Sequence, residues 1–166
     1  MEHTAKPRNQ VMEILAAWDV GAVQAVVDIH PGKVYKVECV TSTYYVLKNI
    51  GENSPKVVQR FGFEYDVLCH LDRTGISIAL PIPDREGELL VLKNGYLYTI
   101  SPYLTTNNKW LELDPDGLKR LNHNCGAAIA RLHMALAAFP AEDLENRTWK
   151  TVFPEDLFDH WIPIIQ

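Results

Sequence analysis

Thr43-Tyr44-Tyr45-Val46-Leu47-Lys48-Asn49-Ile50, followed at once by Ser54-Pro55, is the stretch that decides the fold. Its aromatic and β-branched residues read as a strand. Ser54 is a good N-cap and Pro55 suits the first helical position, so a helix follows, running to about Arg73 with Gly75 just past its end. A strand that ends on a lysine and leads directly into a long helix is the centre from which the other elements are placed.

Upstream, residues 9–19 read as a short helix with Val11, Leu15 and Trp18 on one face. Val23 to Ile29 and Val34 to Val40 read as two further strands, with His30-Pro31-Gly32-Lys33 and Thr41-Ser42 as the turns. Downstream, Leu89 to Leu92 and Tyr96 to Ile100 flank Asn94-Gly95, a hairpin signal. Asp114-Pro115 repeats the cap-and-proline logic. The helix behind it carries Leu118, Leu121, Cys125, Ile129, Leu132 and Leu136 as a stripe, and Pro140 stops it. A last helical piece is expected from Pro154, with Leu157, Phe158 and Trp161. The order predicts an α+β fold on an antiparallel sheet of about five strands, not a parallel βαβ fold.

The chain has 166 residues, one domain's worth or slightly more. Its 16 Lys and Arg against 21 Asp and Glu give a net charge of −5, without a basic cluster, which argues against nucleic acid as a partner. No apolar run is long enough to span a membrane, and Met1-Glu2-His3-Thr4 leads into no signal core. Cys39, Cys69 and Cys125 are odd in number and far apart, so they read as reduced thiols of a cytoplasmic protein. His3, His70, His123 and His160 show no metal-ligand spacing, and His133 is expected to pack. Trp18, Trp110, Trp149 and Trp161 are expected in core or interface.

Two charges sit on apolar-looking faces. Lys48 alternates with Val46 and Ile50, and Glu64 lies inside the helical seam Phe61, Glu64, Leu68, Leu71. A buried carboxylate needs a cation, and Lys48 is the best candidate. A strand lysine followed by a mid-helix glutamate is the layout that grips nucleotide phosphates in kinases. The alternative stays open that Lys48 snorkels and Glu64 is exposed on a slightly rotated helix.

Four stretches then resemble the aminoglycoside phosphotransferase, choline kinase and homoserine kinase group of small-molecule kinases. They are Tyr45-Val46-Leu47-Lys48; Phe63-Glu64-Tyr65-Asp66-Val67-Leu68-Cys69-His70-Leu71; Leu80-Pro81-Ile82-Pro83 with Gly87-Glu88; and Gly126-Ala127-Ala128-Ile129-Ala130-Arg131-Leu132-His133. The resemblance implies a kinase-like small lobe over residues 1–103, with one helix packed on its sheet. A hinge and the first helices of a large lobe would occupy 104–166. It implies ATP as cofactor, with Lys48 on the phosphates and Glu64 as its partner. Ser101, Pro102, Tyr103 and Leu104 would form the hinge against adenine, although Pro102 has no N–H to give. His30 and Gly32 would lie in the loop over the phosphates, a poor cradle with its single glycine.

The family's His-Gly-Asp catalytic loop and later metal-binding Asp do not occur in this chain. His30-Pro31-Gly32 precedes Lys48 and cannot replace the loop, and Asp114-Pro115-Asp116 reads as a helix cap rather than a metal pair. The expectation is therefore no catalytic residue and no metal ligand here, weak or absent Mg·ATP binding, and a truncated phosphotransferase inactive alone. The apolar end Trp161-Ile162-Pro163-Ile164-Ile165 would be covered by the rest of a large lobe or by a second copy. The competing expectation is a kinase-derived interaction or dimerisation module without chemistry.

Overall fold

The computed structural model describes residues 8–105 and 112–140. The element order is α1 (Arg8–Leu15), β1 (Val23–His30), β2 (Val34–Cys39), β3 (Tyr44–Glu52), α2 (Pro55–Arg73), β4 (Val91–Lys93), β5 (Tyr96–Pro102) and α3 (Pro115–Ala137). The strands form one sheet in the order β1-β2-β3-β5-β4, every neighbouring pair antiparallel. This is the α+β arrangement expected from the sequence, with a long helix inserted between the third and fourth strands.

Local chemistry sets the turns. Between β1 and β2, Gly32 takes φ 68° and the Lys33 N–H donates to His30 O at 2.8 Å. Asn94 and Gly95 both take positive φ, 52° and 81°, the pair that a two-residue hairpin of matching twist requires. Ser54 Oγ accepts from the Val57 N–H at the start of α2, with Pro55 in the first turn. At its end the Thr74 N–H returns to His70 O and Leu71 O, and Gly75 follows at φ 81°.

The core lies between α1 and one face of the sheet. Val11, Ile14, Leu15, Trp18 and Val20 meet Tyr35, Val37, Cys39, Leu47, Tyr98 and Ile100. Trp18 Nε1–H donates to Ile82 O at 3.2 Å. The Ile82 N–H in turn donates to Ile100 O at 2.9 Å, so the Pro81–Pro83 stretch covers the β5 edge that the short β4 leaves bare.

Most strand boundaries differ from expectation by one or two residues, and three differences have a visible cause. The first helix stops at Leu15, not residue 19, because Ala17 and Trp18 tighten into bonds to Ile14 O and Leu15 O. β4 starts at Val91 rather than Leu89. Asp84 Oδ1 accepts the N–H groups of Glu86 and Glu88 at 2.9 and 2.8 Å and holds that stretch in a turn. β5 continues past Ile100 to Pro102, still paired with Tyr45.

The long final helix forms as expected, its Asp114 cap accepting from the Gly117 N–H at 2.7 Å. Asp116, in the first turn of the helix, pairs with Lys119 at 3.4 Å. The apolar stripe of α3 is mostly uncovered, with Leu118 40%, Ile129 54% and Leu136 39% exposed. His133 is exposed rather than packed, and Cys125 is exposed as well. Near its C-terminal end α3 meets α2: a protonated His70 Nε2 donates to Ala135 O at 2.8 Å, and the His70 ring packs edge-on to Phe139. Ala135 O accepts the Ala138 N–H as well, at 3.2 Å, so the ring adds a second donor to a carbonyl of the last turn. No helix among the described residues is long and apolar enough to cross a membrane. The helix expected from Pro154 lies outside the described residues. So do Trp110, Trp149, Trp161, His3, His160 and the Trp161–Ile165 segment.

Burial pushes the Cys39 thiol above its ordinary pKa, and its Sγ donates to Val20 O at 3.1 Å. The raised value means that its stabilising share holds at lower pH and fades as pH rises past the ordinary thiol range. A thiolate is the reactive form and Cys39 is buried, whereas Cys125 is exposed. Iodoacetamide at neutral pH is expected to label Cys125 and leave Cys39 unmodified in the folded chain. Mass mapping after brief exposure checks this.

Candidate functional site

Strand alternation sends every second side chain away from the α1 core. The residues that share this second face follow from register. His30, Val34, Lys48 and Thr99 form one row across β1, β2, β3 and β5. Val27, Lys36, Val46 and Ser101 form the next row. Ala25, Glu38 and Tyr44 form a third, and the Tyr103 N–H extends it by donating to Tyr44 O at 2.9 Å. The face thus collects His30, Lys48, Ser101 and Tyr103, four of the six residues singled out from the sequence.

Two ammonium groups stand on it. Lys48 is exposed at the side chain opposite the buried Leu47. Lys36 folds toward the third row, its Nζ 4.5 Å from the Tyr44 ring centre and 4.6 Å from that of Tyr103. These are cation–π distances. The Tyr44 hydroxyl donates to Glu38 Oε1 at 3.4 Å. Around the lysines lie Val34, Val46 and Val27, the last 56% exposed, so the surface is apolar between its charges.

Beneath the lysines the face is polar and closed. Thr99 and Ser101 are the two buried polar residues of the described core, 5% and 9% exposed. Thr99 Oγ1 is buried without a hydrogen-bond partner.

Several sequence expectations are corrected. Lys48 shares its face with the half-buried Val46 and Ile50 as expected but is itself exposed, and α1 covers the opposite face. Glu64 is not in a buried seam. α2 buries Phe61 and Leu71 and leaves Glu64 exposed, so its carboxylate has no need of a buried cation. Among the described residues no ion pair joins Glu64 to Lys48; the one pair within 4.0 Å is Lys119–Asp116. Gly32 is buried and its N–H turns inward to Asp28 Oδ2 at 3.3 Å, away from any ligand in the loop. The Tyr103 N–H is taken by Tyr44 O, which leaves the Leu104 N–H as the next one along the expected hinge.

A residue missed from sequence holds the loop at the edge of this face. Asn49 Nδ2 donates to Gly32 O at 3.4 Å, the Asn49 N–H to Lys33 O at 2.8 Å, and Asn49 Oδ1 accepts from the Gly51 N–H at 3.1 Å. An amide just before a glycine bulge was its sequence signal. Thr99 and Ser101 were also missed; their signal was two hydroxyls at alternate positions of an otherwise apolar strand.

Among the described residues no group of three or more His, Cys, Asp or Glu could hold a metal ion. A concavity of about 690 Å³ lies elsewhere, between Thr74–Ser77 and Arg131 and Met134 of α3; none of the expected site residues lines it.

No family model matches the sequence, and no curated protein matches it. Solved structures do. The chain is similar to an aminoglycoside phosphotransferase from Alicyclobacillus acidocaldarius subsp. acidocaldarius DSM 446, at 13% identity and a TM-score of 0.48, over 63% of this chain and 29% of that one. It is also similar to the amicoumacin kinase hAmiN, solved in complex with AMP-PNP, Ca2+ and Ami. There the identity is 17% and the TM-score 0.47, over 63% of this chain and 34% of that one. The chain thus spans about a third of the length of either.

Replacing Asn49 by alanine removes its side-chain bonds to Gly32 and Gly51. The expected loss is about 1–2 kcal/mol of unfolding free energy in urea, with faster amide exchange at Gly51 and Lys33 than elsewhere in β3.

Proposed function

We propose that the Lys48 face holds a nucleoside triphosphate, and that the chain is the nucleotide-binding part of a phosphotransferase acting on a small-molecule hydroxyl. The observation that carries this reading is the set of register rows. They set two lysines on one face, among valines and above two buried hydroxyls, in a chain whose net charge is −5. Lys48 and Tyr44 are four residues apart on β3, about 14 Å at ~3.4 Å per residue. That spacing suits an extended nucleotide with phosphates at one end and a planar base at the other.

In this reading the base rests on Val27 and Val46 beside the Tyr103 ring, and the Leu104 N–H meets its edge. The Lys48 ammonium lies at the phosphates as a compact point charge with three donors. A nucleoside triphosphate carries magnesium into phosphoryl transfer, where the ion neutralises developing charge. The described residues offer it no three-ligand group. Of the carboxylates, Glu38 shares this face but is bonded to Tyr44, two rows from Lys48. It is therefore poorly placed to receive a hydroxyl proton at the phosphate end. The share of the reaction assigned to this face is to bind the nucleotide and to fix its phosphates.

Calorimetry with Mg·ATP tests the reading. The expected result is binding by the wild-type chain and at least a tenfold loss in Lys48→Ala. No heat at ~1 mM ligand, a free energy weaker than about −4 kcal/mol, overturns it.

The exposed α3 stripe favours a second reading, an interaction module without chemistry. Leu118, Ile129 and Leu136 of that stripe are exposed large apolar side chains that a partner would bury. If a second copy covers it, the chain sediments as a dimer and Ile129→Asp returns it to a monomer. A mass unchanged by that substitution counts against dimerisation through this face.

A further inference from the structure

Lys48 has two cross-strand neighbours, Val34 on β2 and Thr99 on β5. Val34 offers its side no hydrogen-bonding group. Thr99 offers a hydroxyl, and directly opposed residues bring their Cβ atoms within about 5 Å. That hydroxyl is buried and has no partner. A buried polar atom left unpaired weakens a fold, and valine has the same shape without the cost. Valine also suits a strand at least as well. Nothing in the packing of the sheet therefore explains an oxygen at position 99.

The nucleotide reading explains it. We propose that Thr99 is the positioning residue for Lys48: its Oγ1 accepts an N–H from the Lys48 ammonium when that ammonium turns to the phosphates. This rests on the reading that the Lys48 face holds a nucleotide. It gives a neutral hydroxyl the role that a helix carboxylate was expected to fill, consistent with Glu64 being exposed and unpaired with Lys48. The chemical consequence is definite. A carboxylate would offset part of the ammonium's charge, whereas a hydroxyl fixes its direction and leaves the full charge for the phosphates.

The test uses the full chain and two substitutions, Thr99→Val and Thr99→Ser, with Mg·ATP, inorganic tripolyphosphate and adenosine as separate probes. Thr99→Val is expected to weaken Mg·ATP and tripolyphosphate about tenfold, the effect of losing a hydrogen bond to a charged group. Adenosine affinity is expected to stay unchanged, since the hydroxyl acts at the phosphate end. The thermal midpoint is expected to hold or rise, because an unpaired buried oxygen is gone. Thr99→Ser is expected to restore phosphate affinity. A purely structural threonine would move the midpoint and leave the probes alone. Should valine disturb the strand, Thr99→Ala supplies the same comparison. Wild-type affinity for Mg·ATP in Thr99→Val overturns the assignment, and so does an equal loss for adenosine. If the wild-type chain itself binds no Mg·ATP, the nucleotide reading falls and the Thr99 assignment with it. The two failures are thus told apart by the wild-type titration.

Discussion

The packing of α1 against the sheet governs what the rest of the molecule can be. Trp18, Leu15, Ile14 and Val11 bury one face of β2, β3 and β5, and the period of two along a strand does the rest. Once Leu47 and Ile100 point inward, Lys48 and Ser101 must point outward. A slip of one residue would exchange the two faces entirely. Burial therefore specifies the register, and the register alone collects Lys36, Lys48, Thr99 and Tyr103 on a single surface. The candidate site is a by-product of a hydrophobic requirement on the opposite side.

This explains which features were legible in the sequence. Elements bounded by local chemistry were readable: Ser54-Pro55 starts α2, Asn94-Gly95 turns the last hairpin, and Asp114-Pro115 starts α3. Each signal needs only its own few residues. Features set by distant neighbours were not. Whether Lys48 lay on a packed or an open face depended on which side α1 covers, and alternation is silent on that. Glu64 shows the same limit for a helix. The spacing of Phe61, Glu64, Leu68 and Leu71 does keep them near one face, but the cover over α2 reaches only Phe61 and Leu71 fully. A stripe of four positions records a possible contact, and the neighbouring elements decide how much of it is used. The β4 start was displaced for a third reason: one carboxylate, Asp84, captures the N–H groups of Glu86 and Glu88 and holds a turn immediately before the expected strand.

The two faces also differ in how firmly their side chains are held. Tyr35, Val37 and Leu47 on the core side are sealed by close packing. On the open side the order comes from polar and aromatic contacts instead. Lys36 is held between Tyr44 and Tyr103, Glu38 receives the Tyr44 hydroxyl, and Asn49 ties the Pro31–Lys33 turn to β3. Diagonal neighbours on one face stand about 7–8 Å apart, so Lys36 and Lys48 repel each other across Val46. The aromatic clamp draws Lys36 toward Glu38 and leaves the Lys48 end with a single ammonium. The surface is thereby divided into an aromatic end and a cationic end.

That division bears on the unpaired hydroxyl of Thr99. Tyr98 and Ile100, on either side of residue 99, fill the core on the opposite face of the strand. The free energy lost by an orphaned hydroxyl is about 1–3 kcal/mol, a substantial share of the 5–15 kcal/mol by which a domain of this size is stable. Such a loss is tolerable where the atom acquires a partner in another state of the molecule. Lys48 is the one charged side chain directly opposite it, exposed and able to turn back over the sheet on four methylenes. The pairing of a mobile donor with a buried, waiting acceptor is a geometry that becomes complete only when an anion draws the ammonium inward. The strain of the free state and the affinity of the bound one are then two readings of the same contact.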